Sequence, residues 1–354
     1  MTTTTQSKPL AIEPASDNSD NRRWFMLIVL LLGQFMALMD VTIVNVAMNT
    51  VRVDLHASGA ELQLVSAGYF VSYAMLLITG ARLGDLYGRR RMFGIGVVVF
   101  TASSLVCGLA PNIAVLIIAR FVQGAGAAAM MPQIMSVIQL RFTGAARARA
   151  LSAYSAVISV GAVAGMVLGG ILVNADIAGT GWRAVFLVNV PIGVVVTALV
   201  PRLVPADRPT GRRRLDLLGL SIALPAVFAI VFPLVLGHEL GWPAWTFGCV
   251  IAGAVLAVVF VLVERTVADP LLRLDVLRAR GMPSGLATLA LGMLAYGGFL
   301  FSFGLYLQSG MGQTALHAGL IFAPGAAAFG LCGYHWRRLP ERVHHLLTVG
   351  GYLL

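Results

Sequence analysis

Asp40 and Arg120 are the residues in this sequence whose types and placement could do chemistry. Each interrupts an apolar run, Asp40 within 24–47 and Arg120 within 112–138, and each run exceeds the roughly 20 residues that a helix needs to cross a bilayer. An ionisable side chain inside such a segment costs roughly 2.5–3.5 kcal/mol on insertion scales, so it calls for a partner or a role. At about 1.5 Å per residue, Asp40 stands roughly 24 Å from the inner end of its helix and Arg120 roughly 12 Å from the outer end of its own. Both fall in the outer half of the membrane, at depths that allow contact. Two readings stay open. One is a structural ion pair or a snorkelling side chain. The other is a protonation switch, a carboxylate titrating beside a fixed positive charge, with protons as the partner. Gln123 and Gly124 lie on the same face of their helix as Arg120.

The elements that must position these residues are membrane helices. Hydrophobic residues make up 58% of the 354-residue chain and charged residues 11%, against about 25% charged in ordinary soluble domains. Ten full spans are expected, at 24–47, 62–81, 92–110, 112–138, 150–174, 183–203, 215–236, 244–263, 283–308 and 315–333, with an eleventh apolar run opening at Leu346. The fold class is therefore all-α and polytopic, with the lipid bilayer as its solvent.

Loop charges orient the spans. Of the 25 lysines and arginines, 22 fall in alternate loops, including Arg22 and Arg23, Arg82 and Arg89 to Arg91, Arg141 to Arg149, Arg202 to Arg214, and Arg265 to Arg280. The opposite loops hold only Arg52 and Arg183. This is the positive-inside pattern, and it sets the N-terminus in the cytoplasm. The net charge of +10 is scattered over these loops rather than gathered in one patch, which argues against nucleic acid as a partner. Residues 1–23 read as a disordered cytoplasmic tail. The loops at 204–214 and 264–282 bound a linker region, and 269–280 alternates leucines with charges as a short amphipathic helix on the inner leaflet would.

Between the second and third spans, 82–91 reads as a tight polar turn, Arg-Leu-Gly-Asp-Leu-Tyr-Gly-Arg-Arg-Arg, with Gly84 and Gly88 letting the backbone turn and Asp85 held by arginines. In the fifth span Gly161, Gly165, Gly169 and Gly170 form a row of small residues, a smooth groove for a neighbouring helix. No nucleotide-binding glycine loop, metal-spaced His/Cys cluster or Gly-x-Ser-x-Gly elbow is present, so neither an enzyme nor a cofactor is expected. Cys107, Cys249 and Cys332 lie apart in apolar runs and read as small buried hydrophobes. His344 and His345 sit in a basic loop.

These stretches resemble the major facilitator superfamily. Ala81-x-Leu83-Gly84-Asp85-x-x-Gly88-Arg89-Arg90 is similar to its loop signature between helices two and three, with Ala81 for the usual first glycine. Arg120-x-x-Gln123-Gly124-x-Gly126 is similar to its fourth-helix motif. Gly161-x-x-x-Gly165-Met166-x-x-Gly169-Gly170 is similar to its antiporter motif, with Met166 where proline is expected. Met39-Asp40-Val-Thr42-Ile-Val-Asn45-Val-Ala47 and Trp182-Arg183-x-x-Phe186-Leu-Val-Asn189-Val-Pro191-x-Gly193 resemble the 14-helix drug:proton antiporters in particular.

The resemblance implies two six-helix bundles rocking about a central site, with two extra helices between them. It divides the chain into an N-terminal bundle at 24–203, linkers with two extra helices at 204–282, and an incomplete C-terminal bundle at 283–354. Fourteen spans need well over 354 residues, so an incomplete copy is expected. The resemblance further implies proton-coupled export, across the cell (inner) membrane, of lipophilic and often cationic small molecules such as drugs and antibiotics. Asp85, Gly88, Arg89 and Arg90 would form a conformational latch. Arg120, Gln123 and Asp40 would serve proton coupling or substrate recognition, and Gly161 to Gly170 would mark the antiporter helix. A proton-coupled metabolite symporter of the same superfamily is the alternative, favoured by Met166. Substrate identity and oligomeric state have no signal in the sequence.

Overall fold

The computed structural model describes residues 17–340 apart from 177–178, 208–215, 238–239, 268, 273, 314–316, 318–319, 323, 326–327, 329–331 and 333–339. The triple arginine at 212–214, both histidines at 344–345, most of the span expected at 315–333 and the run opening at Leu346 lie outside the described residues.

The described chain is helical, with no strand. The helices are α1 Asp17–Asp54, α2 Gly59–Tyr87, α3 Arg89–Gly108, α4 Ile113–Arg141, α5 Gly144–Ala175, α6 Ala184–Leu187, α7 Asn189–Leu203, α8 Leu217–Leu236, α9 Ala244–Glu264, α10 Leu274–Leu277 and α11 Met282–Leu305. Among the described residues, nine segments are long and apolar enough to cross a membrane, the sixth being Gly181–Leu203, which joins a 3-10 turn, α6 and α7. This is a multi-pass membrane protein. In lipid every backbone amide must be satisfied within its own segment, which only helices and closed barrels achieve.

Local signals set several helix starts. Ser58 and Glu61 form a reciprocal capping box at α2, Asn112 caps α4 through the Val115 N–H at 3.0 Å, and Asp216 caps α8 through the Gly219 N–H at 2.8 Å. Each side-chain oxygen takes up a donor that the first helical turn leaves unpaired.

Several expectations need correction. α1 begins at Asp17, within the stretch 1–23 read as a tail. Cys249 and Cys332, expected to be buried, are half-buried and exposed, because their segments lack a packed neighbour on that side. The tight polar turn expected over 82–91 narrows to one residue, because α2 runs to Tyr87 and α3 starts at Arg89, leaving Gly88 alone between them. Gly88 has φ of 93°, a region that suits glycine, so one residue reverses the chain. Gly84, expected to help the turn, lies inside α2 instead. A Cβ there would run into the side chain of Gln133 on α4, so Gly84 allows close helix approach. The amphipathic helix expected over 269–280 amounts to the single turn of α10.

α4 packs against both α2 and α3, α1 lies along α5, α7 reaches α1 and α3, and α8 pairs with α9 while touching α2. The apolar window of α11 buries none of its residues against the rest of the described chain. The first six spans enclose two apolar clusters. One holds Met36, Ala37, Phe100 and Ala127, and the other Ile43, Cys107, Ala119 and Phe186. Along α1, α3 and α4 the residues between those clusters are Asp40, Ser104 and the Arg120–Gln123 turn. The polar side chains thus occupy a layer of their own, walled above and below by hydrocarbon.

Candidate functional site

Asp40 and Arg120 meet. Arg120 Nη1 donates to Asp40 Oδ2 at 2.6 Å, and the two residues are 1% and 0% exposed. A buried pair is stable only if the remaining donors and lone pairs are also satisfied. Here Gln123 Nε2 donates to Asp40 Oδ1 at 2.9 Å, Arg120 Nη1 also donates to Gln123 Oε1 at 2.8 Å, and Arg120 Nε donates to the Val65 carbonyl at 3.0 Å. The guanidinium carbon lies 4.7 Å from the centre of the Tyr69 ring, a geometry in which the ring face attracts the cation. The three residues that the sequence singled out for proton coupling therefore form one cluster, bridging α1 and α4.

Helical geometry explains the cluster. Arg120 and Gln123 are three residues apart, so both project from one face of α4. Gly124, four residues on from Arg120, lies on the same side, where a Cβ would run into the Tyr69 carbonyl of α2. That contact draws α2 in until the Val65 carbonyl reaches Arg120.

Two more side chains join that the sequence reading did not place in the site. Asn189 Nδ2 donates to Asp40 Oδ1 at 2.9 Å and to Ser104 Oγ at 3.1 Å, and Ser104 Oγ donates to the Phe186 carbonyl at 2.9 Å. Asn189 and Ser104 are fully buried. Their signal was available: an asparagine and a serine, each within an apolar run, at positions that become neighbours once the sixth span packs on α3. The carboxylate of Asp40 thus receives three donors from two other helices.

At the Gly88 turn, Arg89 Nη2 donates to Asp85 Oδ1 at 2.5 Å. Arg89 Nη1 also donates to Asp207 Oδ2 at 3.1 Å, and the backbone N–H of Arg89 reaches Asp207 Oδ1 at 3.0 Å. The Arg90 N–H adds a longer contact at 3.4 Å. Asp207, just beyond α7, sits at the N-terminus of α3, where free N–H groups and the helix dipole favour an anion. Partial burial works against its charge, but the N–H groups of Arg89 and Arg90, its own N–H and the Arg89 guanidinium outweigh that and hold its carboxyl below the usual carboxylate range. The four residues expected at this turn, Asp85, Gly88, Arg89 and Arg90, are brought together here. Asp207 was missed, because its partner lies 118 residues away in sequence.

At the other end of the bundle, Asp54 accepts from Trp182 Nε1 at 2.9 Å and from Arg183 Nη1 at 2.7 Å. This ties the end of α1 to the start of the sixth span.

The glycine row of α5 lies against α1. A Cβ at Gly161 would meet Leu38, at Gly165 the Thr42 hydroxyl and the Met39 carbonyl, and at Gly169 Ile43 and Val46. Gly170 is buried as well, and α5 passes unbroken through Met166. The row therefore supports the helix that carries Asp40. Among the described residues no group of three His, Cys, Asp or Glu is placed to hold a metal ion.

Known proteins are similar to this chain. A probable actinorhodin transporter of Streptomyces coelicolor is 40% identical over 86% of this chain and 53% of its own length. A puromycin resistance protein of Streptomyces alboniger is 34% identical over 96% of this chain and 67% of its own length. A cephamycin export protein of Amycolatopsis lactamdurans is 36% identical over 90% of this chain and 66% of its own. This chain thus spans between about half and two thirds of the length of these relatives. The solved structure of a proton:xylose symporter has the same fold, with a TM-score of 0.50 at 16% identity, over 89% of this chain and 82% of that one. The family profile matches residues 30–217, the stretch that holds every residue of the polar layer and of the Gly88 turn, and the chain belongs to the Major Facilitator Superfamily, a family of membrane transporters rather than enzymes.

Proposed function

We propose that this chain forms the N-terminal bundle, the linker helices and the beginning of the second bundle of a 14-helix drug:proton antiporter. It would export lipophilic, often cationic small molecules across the cell (inner) membrane, with its N-terminus in the cytoplasm. The observation that carries the reading is the buried Asp40–Arg120–Gln123 cluster. The Asp40 carboxylate accepts from three donors in an enclosed layer, and its protonation would remove the attraction that fixes Arg120. The joint between α1, α4 and the sixth span then loosens, biasing the carrier between its two facing states. Asp85, Arg89 and Asp207 serve as the inner latch, held shut by the charges around Gly88. The names of the relatives, with antibiotics in three of them, support the substrate class.

A symporter of the same superfamily is the second reading, favoured by Met166 in place of a proline and by the unbroken course of α5. Inside-out vesicles with an acid interior separate the two. An antiporter releases protons from the vesicles when a lipophilic cation is added outside and accumulates the cation; a symporter does neither. In a full-length protein, Asp40→Asn abolishes proton-driven export and leaves membrane insertion intact. Normal efflux by that variant would leave Asp40 a structural role only.

A further inference from the structure

Asn189 carries a buried polar atom that the cluster does not use. Its Nδ2 gives one proton to Asp40 Oδ1 and one to Ser104 Oγ, yet its Oδ1 is enclosed with no hydrogen-bond partner. A fully buried carbonyl without a donor is destabilising, and an apolar side chain of similar volume would avoid the penalty.

Protonation of Asp40 gives the idle oxygen a use. The carboxylate needs only donors, and it has them from Arg120, Gln123 and Asn189. A carboxylic acid needs an acceptor for its own O–H. The proton does not suit Oδ2, which faces the Arg120 guanidinium. At Oδ1 the neighbours are the amides of Gln123 and Asn189. The carbonyl of Gln123 is already engaged by Arg120 at 2.8 Å and by the Cys107 thiol at 3.7 Å. The carbonyl of Asn189 is unengaged. The other ionisable groups around Asp40 are Arg120 on α4, Tyr69 on α2 and Cys107 on α3, and of these Arg120 carries only donors.

We propose that Asn189 is a positioning residue that answers the protonation state of Asp40, donating to the carboxylate through Nδ2 and, after its amide turns over, accepting from the carboxylic acid through Oδ1. Ser104 follows the turn. Its hydroxyl accepts from Nδ2 in the charged state and donates to Oδ1 in the neutral one, leaving the Phe186 carbonyl it now holds. One end of the amide is idle in either state, so Asn189 supports both without favouring one. The proton's arrival at Asp40 is thereby passed to the sixth span as a change in hydrogen bonding at Phe186. This inference rests on the reading of Asp40 as the titrating group.

The test uses the purified chain in lipid nanodiscs. Infrared difference spectra on acidification report protonated Asp40 as the carboxyl band that Asp40→Asn removes, and melting is followed above and below the midpoint of that band. Asn189→Leu removes two hydrogen bonds from each state, one with Asp40 and one with Ser104. The midpoint therefore stays within about 0.3 pH units of wild type, while the melting temperature falls by a similar amount on both sides of it. In an Asp40→Leu background most of that fall disappears. Asn189→Ala provides the same comparison if leucine is not accommodated. A midpoint raised by about one unit, with melting affected only above it, would make Asn189 a fixed donor and overturn the inference. So would unchanged melting, or a fall that persists in full without Asp40. If no band dependent on Asp40 appears at any pH, the reading of Asp40 as the proton carrier fails together with this one.

Discussion

Replacing Arg120 by methionine is the sharpest probe of the polar layer. Methionine keeps the length of the side chain and removes the guanidinium. The change deletes the 2.6 Å ion pair to Asp40, the bond to Gln123 Oε1 and the bond to the Val65 carbonyl. It also removes the cation from the face of Tyr69. Breaking a buried pair by removing one partner costs about 3–5 kcal/mol, because the other charge is left in the interior. At about 2–4 °C per kcal/mol for a domain of this size, the melting temperature falls by about 10 °C. Asp40→Asn removes the stranded charge, so Asp40→Asn with Arg120→Met melts above Arg120→Met alone. Cys107 is fully buried beside Gln123, and a thiol-reactive dye that becomes fluorescent on labelling reads its exposure as the bundle opens. Arg120→Lys keeps the charge but loses the planar fork that reaches Val65 and Gln123 together, and falls between the two. An Arg120→Met protein melting within about 1 kcal/mol of wild type, or a double variant no better than the single one, would refute the claim that this pair holds the bundle together.

Three further outcomes are expected. Gly165→Leu drives a side chain into the Met39 carbonyl and the Thr42 hydroxyl of α1, costing at least about 1–3 kcal/mol, seen as loss of the monodisperse peak in detergent size-exclusion chromatography. The carboxyl of Asp207 is held below the usual range, so its contribution is present above an ordinary carboxylate pKa and lost as pH falls through the lowered value. The melting advantage of wild type over Asp207→Asn is therefore constant from about pH 8 to pH 5 and fades only below about pH 4. In a background without native cysteines, an impermeant thiol reagent applied to intact cells modifies Pro111→Cys, between α3 and α4, and spares Thr143→Cys, between α4 and α5; modification of both would overturn the assigned orientation.

Length and charge made much of this molecule readable from its residues. Runs of about 20 apolar residues have one solution in lipid, a helix, and arginines crowd one side because moving them across is costly. The matched depth of Asp40 and Arg120 followed from counting residues along two helices. Gly88 was legible as a turning point too, being one of two glycines in a polar stretch between apolar runs. What depends on how each helix is rotated about its axis was not readable. Gly84 looked like part of the turn and is instead a contact with Gln133. Asn189, Ser104 and Asp207 are ordinary polar residues until packing sets them against Asp40, Phe186 and the start of α3. An apolar run has no strong amphipathic face to announce its rotation, because lipid and protein interior are equally apolar. Rotation is set by small residues that let backbones touch and by hydrogen bonds among a few buried polar groups, and these take effect only when all six spans are together.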